Sequence, residues 1–389
     1  MRRVALVLAF ALGLAAVAYA CNVPVFRFAL ERWRPDPYQV VLFHKGPLDA
    51  ATLELIRPLE EQQDKALANL ALRTVDVSEF DKPADDSDEQ AALDRALFAA
   101  QGEVALPRLV VLYPPHLRIL KPAWSGPLSR ESVSQLLDSP ARRELIKRLA
   151  EGQTAVWVLL EPAASDSASV VDSPSSAAVL LEAELKKLAE ELKLPELTTA
   201  PEDALLAQTP LRVEFSLLRL RRDDPAEQAL ISLLIGSEPD LAERKNDPLV
   251  FPVFGRGRAL LPLIGAGITA KNIHDSAAFL VGPCSCEVKE LNPGFDLLLS
   301  TDWDKELTAD GTPLTAATTT QAPSGPPVLV PIPAGASQVT EVYQSPLVSY
   351  GFAPRLSFSL IVLGGAVLLG IFVVALIVAL SQSRGRSES

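Results

Sequence analysis

Two hydrophobic rhythms alternate along this chain, and the switches between them lay out its elements. Gln39 to His44, apolar without a break from Val40 to Phe43, has the signature of a strand covered on both faces. Ala50 to Leu67 then places Leu53, Ile56, Leu59 and Leu67 at helical spacing. Leu70 to Val77 predicts a second strand and Glu89 to Ala100 a helix. Arg108 to Tyr113 predicts a third strand, Leu117 to Leu120 an edge strand, and Ser129 to Leu149 further helices. Ahead of this series, Pro24 to Trp33 sets Val25, Phe26, Phe28, Ala29, Leu30 and Trp33 among Arg27, Glu31, Arg32 and Arg34. That is a short amphipathic helix, expected to pack on the domain in preference to a membrane surface.

The pattern recurs. Ala155 to Glu161 reads as a strand, Pro162 to Ala178 as a Ser/Ala/Asp-rich loop and Val179 to Leu194 as a helix. Val213 to Leu220 is a strand and Pro225 to Ile235 a helix. Leu249 to Phe254 and Arg258 to Ile264 are partner strands joined at Gly255-Arg256-Gly257, and Ala270 to Val281 is a closing helix.

The two ends follow other rules. Met1-Arg2-Arg3, an apolar run from Val4 to Val17 and then Ala18-Tyr19-Ala20 have the three-part layout of a secretory signal, cleaved or retained as an anchor. Cys21 follows directly, so lipidation at that cysteine is the alternative. Near the other end, Leu360 to Leu380 contains no charge and no proline. At 1.5 Å per residue it spans about 31 Å, the thickness of a hydrocarbon core. Arg384 and Arg386 beyond it predict a cytoplasmic tail. Ala366 and Gly370 are spaced to seat a second helix. Between Asp310 and Pro354 eight prolines and only two charged residues predict a stalk.

The expected organisation is therefore a signal or anchor over 1–20, a first module over 21–152, a second over 153–306, a stalk over 307–355, a transmembrane helix over 356–380 and a tail over 381–389. Composition narrows the function. At 48% hydrophobic and 22% charged residues the 389-residue chain can build a core, and 36 Lys plus Arg against 48 Asp plus Glu (net −12) leaves no cationic face for nucleic acid. Three Cys and three His are little material for a metal centre, and no cofactor is expected.

The order β-α-β-α-β-β-α, with Pro107 just before the third strand, resembles the thioredoxin fold superfamily. Where active members carry Cys-Gly-Pro-Cys, this chain has Lys45-Gly46-Pro47-Leu48. The resemblance implies an α/β fold of tandem thioredoxin-like modules, cis prolines at Pro107 and Pro248, and a first module with no thiolate to attack a disulfide. With its ends, the chain also resembles membrane-anchored bacterial envelope proteins. The function implied is extracytoplasmic binding or scaffolding at the inner membrane, without turnover. The partners implied are membrane lipid, another envelope protein and a second copy through the transmembrane helix.

Cys284-Ser285-Cys286 is the alternative source of chemistry. Two sulfurs at i and i+2 on an extended chain can bridge or clamp one ion, so a structural disulfide is set against a thiol-disulfide relay or a Cu(I) site. Four other motifs have simpler readings. Gly265-Ala266-Gly267-Ile268-Thr269-Ala270 spells a dinucleotide fingerprint but reads as a tight turn, since the acid it needs does not end a following strand. His274-Asp275-Ser276 cannot converge from neighbouring helical positions. The acidic run Asp85 to Glu89 caps a helix, and Gly255-Arg256-Gly257-Arg258 is a hairpin turn whose arginines could meet an anion.

Overall fold

The computed structural model describes residues 22–81, 88–163, 175–200, 203–284, 288–308 and 314. Its first sheet is built from β1 (Tyr38–His44), β2 (Leu70–Asp76), β3 (Arg108–Leu112) and β4 (Trp124–Pro127), in the order β2-β1-β3-β4. β2 runs parallel to β1, with His44 opposite Asp76, while β3 is antiparallel to β1 and β4 to β3. The helices between them are α1 (Val25–Arg32), α2 (Ala50–Asp64), α3 (Glu89–Ala99), α4 (Arg130–Leu137) and α5 (Pro140–Ala150). Asp49, Asp88, Ser129 and Ser139 each accept a backbone N–H at the start of α2, α3, α4 and α5, which fixes where these helices begin.

The second sheet centres on β5 (Ala155–Glu161). It adds β6 (Phe215–Arg221), β7 (Leu249–Phe254), β8 (Arg258–Ala259), β9 (Leu263–Ile264) and β10 (Phe295–Asp296). Its helices are α6 (Ser176–Glu191), α7 (Gln228–Ile235), α8 (Ala270–Val281) and α9 (Trp303–Leu307). The strand order is β10-β8-β7-β5-β6, with β9 paired to β7 beside β8. Strand periodicity sorts β5 cleanly: Ala155, Trp157 and Leu159 enter one core with α6 and α8, and Val156, Val158 and Leu160 enter another with α5 and α7.

The fold is mixed α/β, but two thioredoxin-like modules in tandem are not what it shows. The second sheet has six strands against four in the first, and the described residues all belong to one compact unit. α7 explains the fusion, because Ala229 and Leu233 pack into the first sheet's core while Leu230, Ile231 and Leu234 pack into the second's. The segment Leu117 to Leu120 is not a strand; a 3-10 turn over Pro115–Leu117 leads into it and Trp124–Pro127 takes the edge. Arg258 to Ile264 splits into β8 and β9, because Pro262 has no N–H to continue a ladder.

The membrane reading is also corrected. Among the described residues no helix is long and apolar enough to cross a membrane. The segment 356–380, Cys21 and all of the expected stalk except residues 307, 308 and 314 lie outside the described residues; of those three, Leu307 ends α9 and Leu307 and Leu314 are buried in the second sheet's core. The anchor, the lipid contact, dimerisation through a transmembrane helix and the inner-membrane location thus have no support here and are not carried further. α1 likewise lies on no surface: every residue from Val25 to Glu31 is buried. Its charges are matched internally, with Arg27 Nε donating to Glu31 Oε1 at 2.6 Å, Arg27 Nη2 to the Ala207 carbonyl at 2.6 Å, and the Ala207 N–H to Glu31 at 3.0 Å.

Candidate functional site

The motifs singled out in the sequence resolve into structural roles. Lys45-Gly46-Pro47-Leu48 forms the turn between β1 and α2, with Gly46 at φ +74°, a left-handed conformation that favours glycine. Asp76, at the end of the neighbouring strand, holds that turn. Its Oδ1 accepts from Gly46 N at 2.9 Å, Ser78 N at 2.9 Å and Ser78 Oγ at 2.7 Å, and these bonds lower its pKa to about 2. The Leu106–Pro107 peptide is cis, whereas the peptide before Pro248 is trans.

Cys284 is buried in the apolar core around α1 and α8, its N–H donating to the Val23 carbonyl at 2.9 Å; Cys286 lies outside the described residues. A thiol in such surroundings is shielded from an external disulfide or a copper donor. The relay and Cu(I) readings are therefore withdrawn along with the disulfide. Among the described residues no group of three or more His, Cys, Asp or Glu could hold a metal ion.

The remaining motifs are absorbed by packing. His274 lies 3.4 Å from Asp275, but Ser276 donates to the Asn272 carbonyl instead of joining them. Gly265 and Gly267 form a 3-10 turn ahead of α8, which Thr269 caps. Arg256 and Arg258 point inward rather than greeting an anion. Arg256 donates to the Leu30 carbonyl and Asp304, and Arg258 to the carbonyls of Asn292 and Pro293 and to Asp296.

Arg258 belongs to a buried charge network that sequence reading did not find. Lys289 Nζ sits 2.5 Å from Asp296 Oδ2 and 2.8 Å from Asp36 Oδ2, and donates to the Arg34 carbonyl as well. Arg258 reaches Asp296 Oδ1 at 3.4 Å, and His116 Nε2 lies 3.5 Å from Asp36 Oδ2. Burial pushes the Asp296 carboxyl up, while Lys289 and Arg258 pull it down. Lys289 Nζ meets three oxygen acceptors, and two carboxylates face two cations, which suits a structural clamp.

In front of this clamp lies the candidate site. A cleft of about 770 Å³ opens between the segment Leu117–Ala123, the end of α7 with the turn after it, Leu261, and Gly294–Phe295. Three further recesses among the described residues measure about 380 to 460 Å³. The cleft wall is largely apolar, and two of its leucines face water: Leu120 is 93% exposed and Leu261 56%. Its charged members are Arg118, Lys121 and Glu238. Each side of the cleft backs onto the clamp, since Phe295 precedes Asp296 and Leu117 follows His116. No local sequence signal marks this site, because its walls come from four separate stretches. The prolines that bracket Leu117–Lys121, Pro114-Pro115 and Pro122, are the nearest thing to one.

No family model, curated protein or solved structure matches the chain. The resemblance to the thioredoxin superfamily and to membrane-anchored envelope proteins therefore yields no family assignment.

Proposed function

We propose that the chain is a binding protein for a small molecule with an apolar body, held in the cleft between the two sheets. The observation that supports it is the pair of leucines left in water at the rim of an apolar recess. Single exposed leucines are ordinary, but two lining one recess of ligand size give apolar surface that a ligand there would cover. The charge clamp behind the cleft supports binding rather than turnover, because its titratable groups are already satisfied by one another.

Titration of the full-length chain with the neutral fluorophore N-phenyl-1-naphthylamine tests the proposal. Saturable enhancement is expected, and Leu120→Asp and Leu261→Asp should each weaken it about tenfold or more, since covering a leucine side chain is worth about 1.5–3 kcal/mol. Both positions are exposed, so the substitutions leave folding intact. Enhancement that is absent, or unchanged by both substitutions, would remove the cleft as the site.

A further inference from the structure

Resting on that reading, we infer that the ligand is an acid: a small carboxylate whose charged end is seated on Arg118 and Lys121 and whose apolar body lies along Leu120, Ile235, Leu261 and Phe295. Both cations line the cleft and both are exposed. Among the described residues neither has a carboxylate within 4 Å, so both charges are open to a ligand. In a chain of net charge −12, a recess with two unpaired cations against one carboxyl reverses the local sign. Charge of that kind at an apolar mouth selects and orients an anion.

One further feature fits an acid. Glu238, the one acidic lining residue, is half-buried, and burial together with Asp240 pushes its carboxyl up. A carboxyl in that setting takes a proton more readily, and in its protonated form donates to an anion instead of repelling it.

Displacement of the bound naphthylamine from the full-length chain by octanoate, octanol and octyltrimethylammonium, at equal chain length, reads the charge preference. Octanoate should displace it at about one-tenth the concentration octanol needs, the size of one charged hydrogen bond. Octyltrimethylammonium should be the weakest of the three. The double variant Arg118→Gln, Lys121→Gln should bring octanoate level with octanol, each competitor being read against the variant's own naphthylamine affinity. Equal displacement by all three compounds, or a preference for the cation, overturns the inference and leaves the apolar cleft standing. Failure of the naphthylamine to bind removes the cleft reading, and the inference with it.

Discussion

Lys289→Met is the sharpest test of the clamp behind the cleft. The substitution keeps the apolar stem and removes the ammonium that contacts Asp296 at 2.5 Å and Asp36 at 2.8 Å, with Asp296 only 3% exposed. Breaking a buried pair by removing one partner costs about 3–5 kcal/mol, because the other charge stays buried without compensation. Two carboxylates lose their shared cation here, and Arg258 still reaches Asp296, so a loss of about 3 kcal/mol is expected. With a urea slope near 3 kcal/mol per molar, the unfolding midpoint should fall by about 1 M with the slope unchanged. Asp296→Asn added to Lys289→Met should recover part of that loss, an interaction energy of about 1–3 kcal/mol in the double-mutant cycle. The pH dependence has a definite sign. Without Lys289 the Asp296 carboxyl rises further above its unfolded value of about 3.9, so the folded state holds that proton more tightly than the unfolded chain. The variant's deficit should therefore be smallest at acid pH and grow as pH rises through the folded pKa. A cost below about 1 kcal/mol, additivity in the cycle, or a deficit that widens on acidification would refute the clamp.

Two other carboxylates titrate the opposite way. Hydrogen bonds from Ser78 and Gly46 hold Asp76 at about 2, and bonds from Asn22 and Thr198 hold Asp203 at about 2 against burial. Their stabilisation is present above the unfolded value of about 3.9 and is lost as pH falls toward 2, so Asp76→Asn and Asp203→Asn should flatten the acid limb of a stability–pH curve measured by circular dichroism. Gly294→Ala should cost about 2 kcal/mol or more, because Gly294 sits at φ +107° and an added Cβ would clash with the Ala259 carbonyl oxygen. Gly267→Ala meets nothing within 4 Å and should stay within about 0.5 kcal/mol, so thermal melts of the pair separate local strain from a general cost of losing glycine.

The elements that declared themselves in the sequence are those whose burial is written locally. Ala155–Glu161 and Ala270–Val281 carry an unbroken apolar run and a clean helical stripe, and both occur with the boundaries their patterns predict. α1 shows the limit of such reading. Arg27 and Glu31 look like a wet face, yet their partners at Ala207 lie about 180 residues away and let the helix be buried from Val25 to Glu31. The arginines of Gly255-Arg256-Gly257-Arg258 mislead in the same way, because Asp296 and Asp304 neutralise them from another segment. A one-dimensional pattern records how polar a side chain is but not whether the fold brings it a partner. The tandem repeat misled for a related reason. Recurrent strand and helix signals say nothing about α7 serving two cores at once. The cleft was less legible still, since Arg118, Leu120, Leu261 and Phe295 converge only after both sheets have formed.

That convergence links the clamp to binding. Side chains of successive strand residues face opposite ways, so Phe295 can line the cleft while Asp296 enters the charge network behind it. The opposite wall repeats the arrangement, with Leu117 in the cleft and His116 against Asp36. Asp36 and Asp296 share Lys289, and Asp36 lies 3.5 Å from His116, so a chain of charged contacts runs from one wall's flank to the other's. A pre-set cleft spares the ligand the entropic cost of ordering it. Lys289→Met touches none of the cleft's lining, yet it should weaken naphthylamine binding about three- to tenfold under conditions where the variant remains folded, by loosening the walls. Asp76→Asn, which disturbs a carboxylate outside the cleft and the clamp, should leave that affinity unchanged. Equal affinities for Lys289→Met and the parent chain would mean that the network stabilises the fold without shaping the site.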